Sequence, residues 1–279
     1  MDPLVSTQWL AARLDDPEVS ILDATWFMPG SSRDATAEFA ERHVPGALFF
    51  DIDKISDQHS PLPHMLSPAS EFAIAARRLG ISARSTVVIY DTIGLFSAPR
   101  AWWNFRVMSH EHVAVLDGGL PKWLAEGLPV EKGWRQVTPG DFKATAVSEL
   151  VCDLDEVRLA LATGSAQVID ARPNERFTGA SPEPRAGLRS GHMPGALGLP
   201  WSNLVQGNGA LLPLDALRAA VNSAGLDLAA PIITSCGSGI SASLLALALA
   251  RLGRADVSVY DGSWSEWGGR TDTPVVLGQ

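Results

Sequence analysis

Cys236-Gly-Ser-Gly-Ile-Ser241 sets a thiol between an apolar run, Pro231 to Thr234, and a strongly helical stretch, Ser243 to Leu252. A cysteine that ends a buried strand and opens a glycine-containing loop before a helix faces unpaired backbone N–H groups. It also faces the positive end of the helix dipole, and both stabilise a thiolate. Cys236 is therefore a candidate nucleophile. The commoner fate of a cysteine is that of a small buried hydrophobe. Two glycines and two hydroxyls are poor core material, however, and a polar loop here must point its amides at something.

The elements that must hold this loop recur along the chain. Leu22-Asp-Ala returns as Ile169-Asp-Ala, and His43-Val-Pro-Gly-Ala returns as His192-Met-Pro-Gly-Ala, at offsets of 147 and 149. Leu116-Asp-Gly-Gly with Trp123 returns as Tyr260-Asp-Gly-Ser with Trp267, both at an offset of 144. Landmarks matched in order at a drifting offset mean a duplicated domain, since a solenoid would show a far shorter period. Each half reads as alternating helices and strands, which predicts an α/β fold with a mainly parallel sheet and helices on both faces. Ser6 and Asp153 are the expected N-caps of the first helix in each half, and Asp153 with Glu156 resembles a capping box. Residues 1–130 and 148–279 are the expected domains, joined by an aperiodic linker over residues 131–147.

The duplication tests the loop. Val87-Val-Ile-Tyr matches Ile232-Ile-Thr-Ser, so Asp91 stands at the position of Cys236, and Gly94 at that of Gly239. Only the second half carries a thiol.

Composition narrows the function further. At 279 residues, with 46% hydrophobic residues, the chain is ordinary globular protein able to form two domains. A formal net charge of −9 argues against nucleic acid or an anionic membrane as partner, so small anions must be captured by local arginines. The only cysteines, Cys152 and Cys236, lie 84 positions apart in dissimilar contexts, which argues against a disulfide framework and for a reducing compartment. Met1-Asp-Pro-Leu-Val-Ser lacks the basic start and apolar core of a signal peptide. The longest apolar run, Leu244 to Ala250, is too short to span a bilayer. A cytoplasmic setting is expected.

Taken together, the repeated His-x-Pro-Gly-Ala segments, the Asp-Gly and Trp landmarks and the single cysteine loop resemble the tandem-domain rhodanese superfamily. There an inactive N-terminal domain is fused to a catalytic C-terminal one. Cys-Gly-Ser-Gly-Ile-Ser is similar to the Cys-Gly-Ser-Gly-Val-Thr loop of the 3-mercaptopyruvate sulfurtransferases, whereas members that use thiosulfate carry a basic Cys-Arg-Lys-Gly loop. The resemblance implies sulfur transfer through a persulfide on Cys236. Pyruvate would be released, and the sulfur would pass to cyanide or to a thiol, thioredoxin included.

The same resemblance assigns further residues. Arg176 and Arg185, nine positions apart on a Gly/Pro-rich loop after the strand Val168 to Asp170, are similar to the two substrate-binding arginines of the mercaptopyruvate enzymes. A guanidinium fork suits a carboxylate beside a ketone. The backbone N–H groups of Gly237, Gly239, Ile240 and Ser241 would cradle the outer sulfur. Asp53, His64 and Ser238 match a proposed proton relay, with Pro63 standing where an acidic residue is often found.

No cofactor and no metal set is expected. His43 and His192, at matched positions in both halves, read as structural, and His110 with His112 as a solvated turn. Arg100 stays outside the catalytic set. Three other readings remain open: a thiosulfate sulfurtransferase, a noncatalytic binding module, and a cysteine phosphatase. The last would need an arginine six positions after the cysteine, where Ala242 stands.

Overall fold

The β-branched runs Thr86–Tyr90 and Ile232–Ser235 become central strands of two separate sheets in the computed structural model, which describes residues 1–278. One unit comprises Met1–His59, Leu66–Val147 and Gln206–Leu211, and the other comprises Ser60–Met65, Ser148–Val205 and the chain from Leu212 onward.

In the first unit the elements run β1 (Leu4–Val5), α1 (Thr7–Ala11), β2 (Val19–Asp23), α2 (Ala35–Glu41), β3 (Leu48–Phe49), α3 (Ile52–Ile55) and α4 (Ala69–Arg78). They continue as β4 (Thr86–Tyr90), α5 (Ala98–Val107), β5 (Val113–Leu116) and α6 (Gly119–Ala125). The second unit begins with β6 (Val151–Cys152), α7 (Leu154–Thr163), β7 (Gln167–Asp170), α8 (Asn174–Phe177) and β8 (Leu197–Gly198). It ends with α9 (Leu214–Ser223), β9 (Ile232–Ser235), α10 (Ile240–Arg251), β10 (Ser258–Tyr260) and α11 (Ser263–Trp267).

The strand orders are β1-β5-β4-β2-β3 and β6-β10-β9-β7-β8, and every pairing between these strands is parallel. Helical crossovers cover such sheets, which is why β4, β5 and β9 are almost wholly buried rather than alternating. In both units the chain reverses its direction of winding between two central neighbours, β2 and β4 or β7 and β9. The carboxyl ends of such a pair open the crevice where α/β sheets hold ligands.

Local signals behave as read. Ser6 Oγ accepts from the Trp9 amide at 3.1 Å, and Asp153 and Glu156 complete a reciprocal capping box with both bonds at 2.9 Å. His43 and His192 are buried packing residues. Each ring lies on a phenylalanine, Phe39 or Phe177, and Nδ1 meets that residue's carbonyl at 2.7 or 2.9 Å.

Two expectations change. Residues 131–147, read as a linker, are part of the first unit: Glu131 bridges His43, the Gly140 amide donates to the Arg77 carbonyl, and Phe142 is buried against Phe72 and Phe105. A segment without periodicity can still be ordered when long-range contacts satisfy its backbone. His110 is likewise no solvated group. It packs on Phe105 and Phe142 with Nε2 at 2.8 Å from the Ser85 carbonyl, and burial lowers its pKa.

Candidate active site

Strand β9 delivers Cys236 to the carboxyl edge of the second sheet, where Ser235 is in register with Asp170 of β7. The thiol residue is buried, and the chain turns into α10 through Gly237, Ser238 and Gly239. Gly239 caps the helix with φ of 79°, a left-handed conformation that favours glycine. The helix that follows is apolar on all sides and buried from Ile240 to Leu249. Its first-turn amides, at Ile240 and Ser241, have no intrahelical acceptor by helix geometry and bring the positive dipole end to the loop.

The first turn of α11 holds this loop from behind. Ser263 Oγ accepts from the amides of Cys236 and Gly239 at 3.2 and 3.1 Å and donates to the Tyr260 carbonyl at 2.8 Å. The Trp264 amide donates to the Cys236 carbonyl, while Ser265 donates its amide and its hydroxyl to the Gly237 carbonyl at 2.9 and 2.7 Å. Gly239 therefore directs its N–H to Ser263, which corrects its expected place among the donors to sulfur. Ser263 itself has φ of 49°, and the residue at its position in the first unit is Gly119, with φ of 53°. A non-glycine residue kept in that conformation costs about 1 kcal/mol, and here the hydroxyl is what the strain secures. The exchange of Asp-Gly-Gly for Asp-Gly-Ser was the signal in the sequence, read there only as a landmark.

Beside β9, β7 leads into the arginine loop. Arg176, on α8, pairs with Glu183 through Nε at 3.2 Å and Nη2 at 2.5 Å. Glu183 in turn accepts from Arg172 Nη1 at 2.8 Å. Arg172 is fully buried: it lies over the Trp264 ring and is bound side-on by Asp170. Burial is the largest influence on Arg172 and opposes its charge, yet Asp170 and Glu183 together hold its pKa above the usual value. The Arg176 fork reaches the cysteine loop, since a Cβ built on Gly237 would stand 3.0 Å from Nη2. Arg185, two residues beyond Glu183, is half-buried on the same loop. Neither Arg172 nor Glu183 was singled out from sequence.

His64 belongs to the second unit. It is buried at φ of 63°, and its Nδ1 lies 3.0 Å from Ser238 Oγ and 3.4 Å from the Ser238 carbonyl. Asp53 is an exposed residue of α3 in the first unit, its carbonyl accepting from Ser56 Oγ and Gln58 Nε2 at 2.6 Å each.

The corresponding loop of the first unit shows what this junction does with an anion. The Asp91 carboxylate accepts five backbone bonds: from Ile93 and Gly94 at 2.9 and 2.8 Å on one oxygen, and from Phe96, Ser97 and Ala98 at 2.9 Å each on the other. That loop spans residues 92–97, against 237–239 in the second unit, and Ser97 rather than Gly94 occupies the capping position. The match of Gly94 with Gly239 therefore holds in sequence but not in space. Gly94 instead packs on Gly209, where a Cβ would stand 2.7 Å from its Cα.

A family model of the rhodanese-like domain matches residues 6–126 and 153–270. The chain belongs to the rhodanese family. It is 46% identical to the 3-mercaptopyruvate sulfurtransferase of Escherichia coli K12 over 272 residues, 97% of this chain and 96% of that protein. It is 42% identical to a thiosulfate sulfurtransferase of Rattus norvegicus over 271 residues, 95% of this chain and 91% of that protein. The crystal structure of SseA from Escherichia coli, described as a 3-mercaptopyruvate sulfotransferase, superimposes with a TM-score of 0.87 at 44% identity, over 95% of this chain and 99% of that one. Overall identity thus leads to relatives named for either donor, and the rhodanese loops themselves must discriminate.

Proposed function

We propose that the chain is a sulfurtransferase that takes sulfur from 3-mercaptopyruvate. The second repeat, residues 148–279, performs the chemistry, and the first, residues 1–130, with Asp91 at the cysteine position, does not. The observation that carries the donor is the uncharged Gly237-Ser238 loop with the Arg176 fork lying against Gly237. A thiosulfate sulfonate sits next to the attacked sulfur and gains from cations within the loop. The mercaptopyruvate carboxylate lies further from its sulfur and suits an arginine arriving from a neighbouring loop.

The Cys236 thiolate attacks the donor sulfur. The carbon–sulfur bond breaks with its electron pair passing to carbon, and the resulting enolate of pyruvate is stabilised by Arg176 and Arg185. The donor's thiol proton ends on the methyl carbon of pyruvate, and a persulfide remains on Cys236. His64, within hydrogen-bond reach of Ser238 Oγ, is the residue we assign to moving that proton. The amides of Gly237, Ser238, Ile240 and Ser241 hold the outer sulfur until a thiol, such as that of thioredoxin, or cyanide removes it. Ping-pong kinetics follow. Both cysteines are free thiols, which suits a cytoplasmic setting, and among the described residues no helix is long and apolar enough to cross a membrane.

The test is a comparison of the two donors with a common acceptor. Mercaptopyruvate should give the higher kcat/KM, and Arg176→Ala and Arg185→Ala should lower it for that donor. A higher kcat/KM for thiosulfate would overturn the donor assignment.

A further inference from the structure

We propose that Glu183 is a positioning residue that sets donor specificity by clamping Arg176 along one edge, and that Gly237 is the clearance this clamp requires. The inference rests on the reading of Arg176 as the carboxylate anchor. A guanidinium offers two forks, one of Nε with Nη2 and one of Nη1 with Nη2. Glu183 occupies the first, at 3.2 and 2.5 Å, so the end-on fork of Nη1 and Nη2 is the one presented to a ligand. That fork borders the cysteine loop, because Nη2 is the atom 3.0 Å from the Cβ position of Gly237.

The clamp is rigid for reasons written in the chain. Glu183 sits between Pro182 and Pro184, whose rings fix the backbone on either side, and its side chain is 1% exposed. Its second partner, Arg172, is anchored by Asp170, by the Gly191 carbonyl and by the face of Trp264. Asp170, Arg172, Glu183 and Arg176 therefore alternate in charge from the end of β7 to the cysteine loop, and only the last keeps a fork for substrate. A flexible arginine could swing away from a side chain at position 237, but one clamped by a buried carboxylate cannot without breaking that pair. A side chain at position 237 would thus press on the clamped fork and displace it by a few tenths of an ångström. Donor preference is then a property of Glu183, Arg176 and Gly237 together.

Full-length Glu183→Gln, Gly237→Ala and Arg176→Ala variants test this with three readouts. These are steady-state kinetics with 3-mercaptopyruvate, thermal stability, and single-turnover transfer of preloaded sulfur from Cys236 to cyanide. Glu183→Gln should raise KM for mercaptopyruvate about tenfold, as expected when a fixed fork becomes mobile, while the cyanide step stays within about twofold. Gly237→Ala, which crowds the Arg176 fork but removes none of the four charged groups, should raise KM in the same direction without lowering the melting temperature. An unchanged KM in Glu183→Gln beside a raised KM in Arg176→Ala would overturn the clamp and leave the anchor standing. An unchanged KM in Arg176→Ala would instead remove the anchor itself. Loss of both half-reactions and of thermal stability in Glu183→Gln, with Gly237→Ala unaltered, would mean a purely structural carboxylate and also overturn the proposal.

Discussion

At the scale of single residues, the same repeat position has opposite electrostatic fates. Asp170 ends β7 beside the buried Arg172, whereas its counterpart Asp23 ends β2 with neutral partners, Thr25 through amide and hydroxyl and Tyr90 through its side chain. Burial pushes the Asp23 carboxyl up to about 7, opposed by the bonds from Thr25. The native state therefore binds this proton more tightly than the unfolded chain, and stability falls as pH rises from about 4 towards 7. Asp23→Asn should flatten that decline, so thermal melts of the two proteins should coincide near pH 4 and separate in favour of the variant near pH 8. Cys152 makes a second comparison: burial, then the charge of Glu156, raises its pKa to about 12, so at neutral pH it should resist alkylation in the folded protein and react only after unfolding. Peptide mapping after treatment with iodoacetamide checks this. The sequence marked out Cys236 by the glycines and hydroxyls that follow it between a strand and a helix. It could not distinguish Asp23 from Asp170, because the deciding neighbour, Arg172 or Thr25, is itself unremarkable in the chain.

At the scale of elements, the cysteine loop is held by a helix that begins 27 positions later. Ser263, Trp264 and Ser265, at the start of α11, bond to Cys236, Gly237 and Gly239. Ser263→Gly should lower the melting temperature, since relief of about 1 kcal/mol of left-handed strain offsets only part of the three buried hydrogen bonds lost, and should slow persulfide formation about tenfold by freeing the loop. Ser263→Ala loses the same hydroxyl and keeps the strain, so it should melt lower still at a similar rate loss. Rapid-quench measurement of pyruvate release separates the two effects, and equal rates in wild type and Ser263→Gly would show that the hydroxyl is dispensable. The strand-to-helix junction was legible because its composition is extreme. Its support was not, because a serine in a turn carries no sign of what its hydroxyl will reach.

At the scale of the whole molecule, duplication predicts one loaded sulfur per chain. Incubation with mercaptopyruvate should add a single sulfur to the peptide containing Cys236, and Cys236→Ser should abolish both that gain and turnover. The repeat landmarks made the two sheets, their parallel pairing and the missing thiol of the first half readable in the chain itself. They did not reveal that Ser60–Met65 belongs with the second unit and Gln206–Leu211 with the first, because such membership depends on distant contacts of segments that have no period. Asp91→Asn should cost on the order of 3 kcal/mol or more, since three amides that now meet an anionic oxygen would face an NH2 group or lose their acceptor. Chemical denaturation checks that figure. The five-amide grip on Asp91 also bears on the history of the duplication. Asp91→Cys would not create a second centre, because this loop is longer than that of Cys236 and is built around a carboxylate. The grip thus works as a lock: with the loop dependent on its carboxylate, a route to a thiol there requires several coordinated changes, each unfavourable alone.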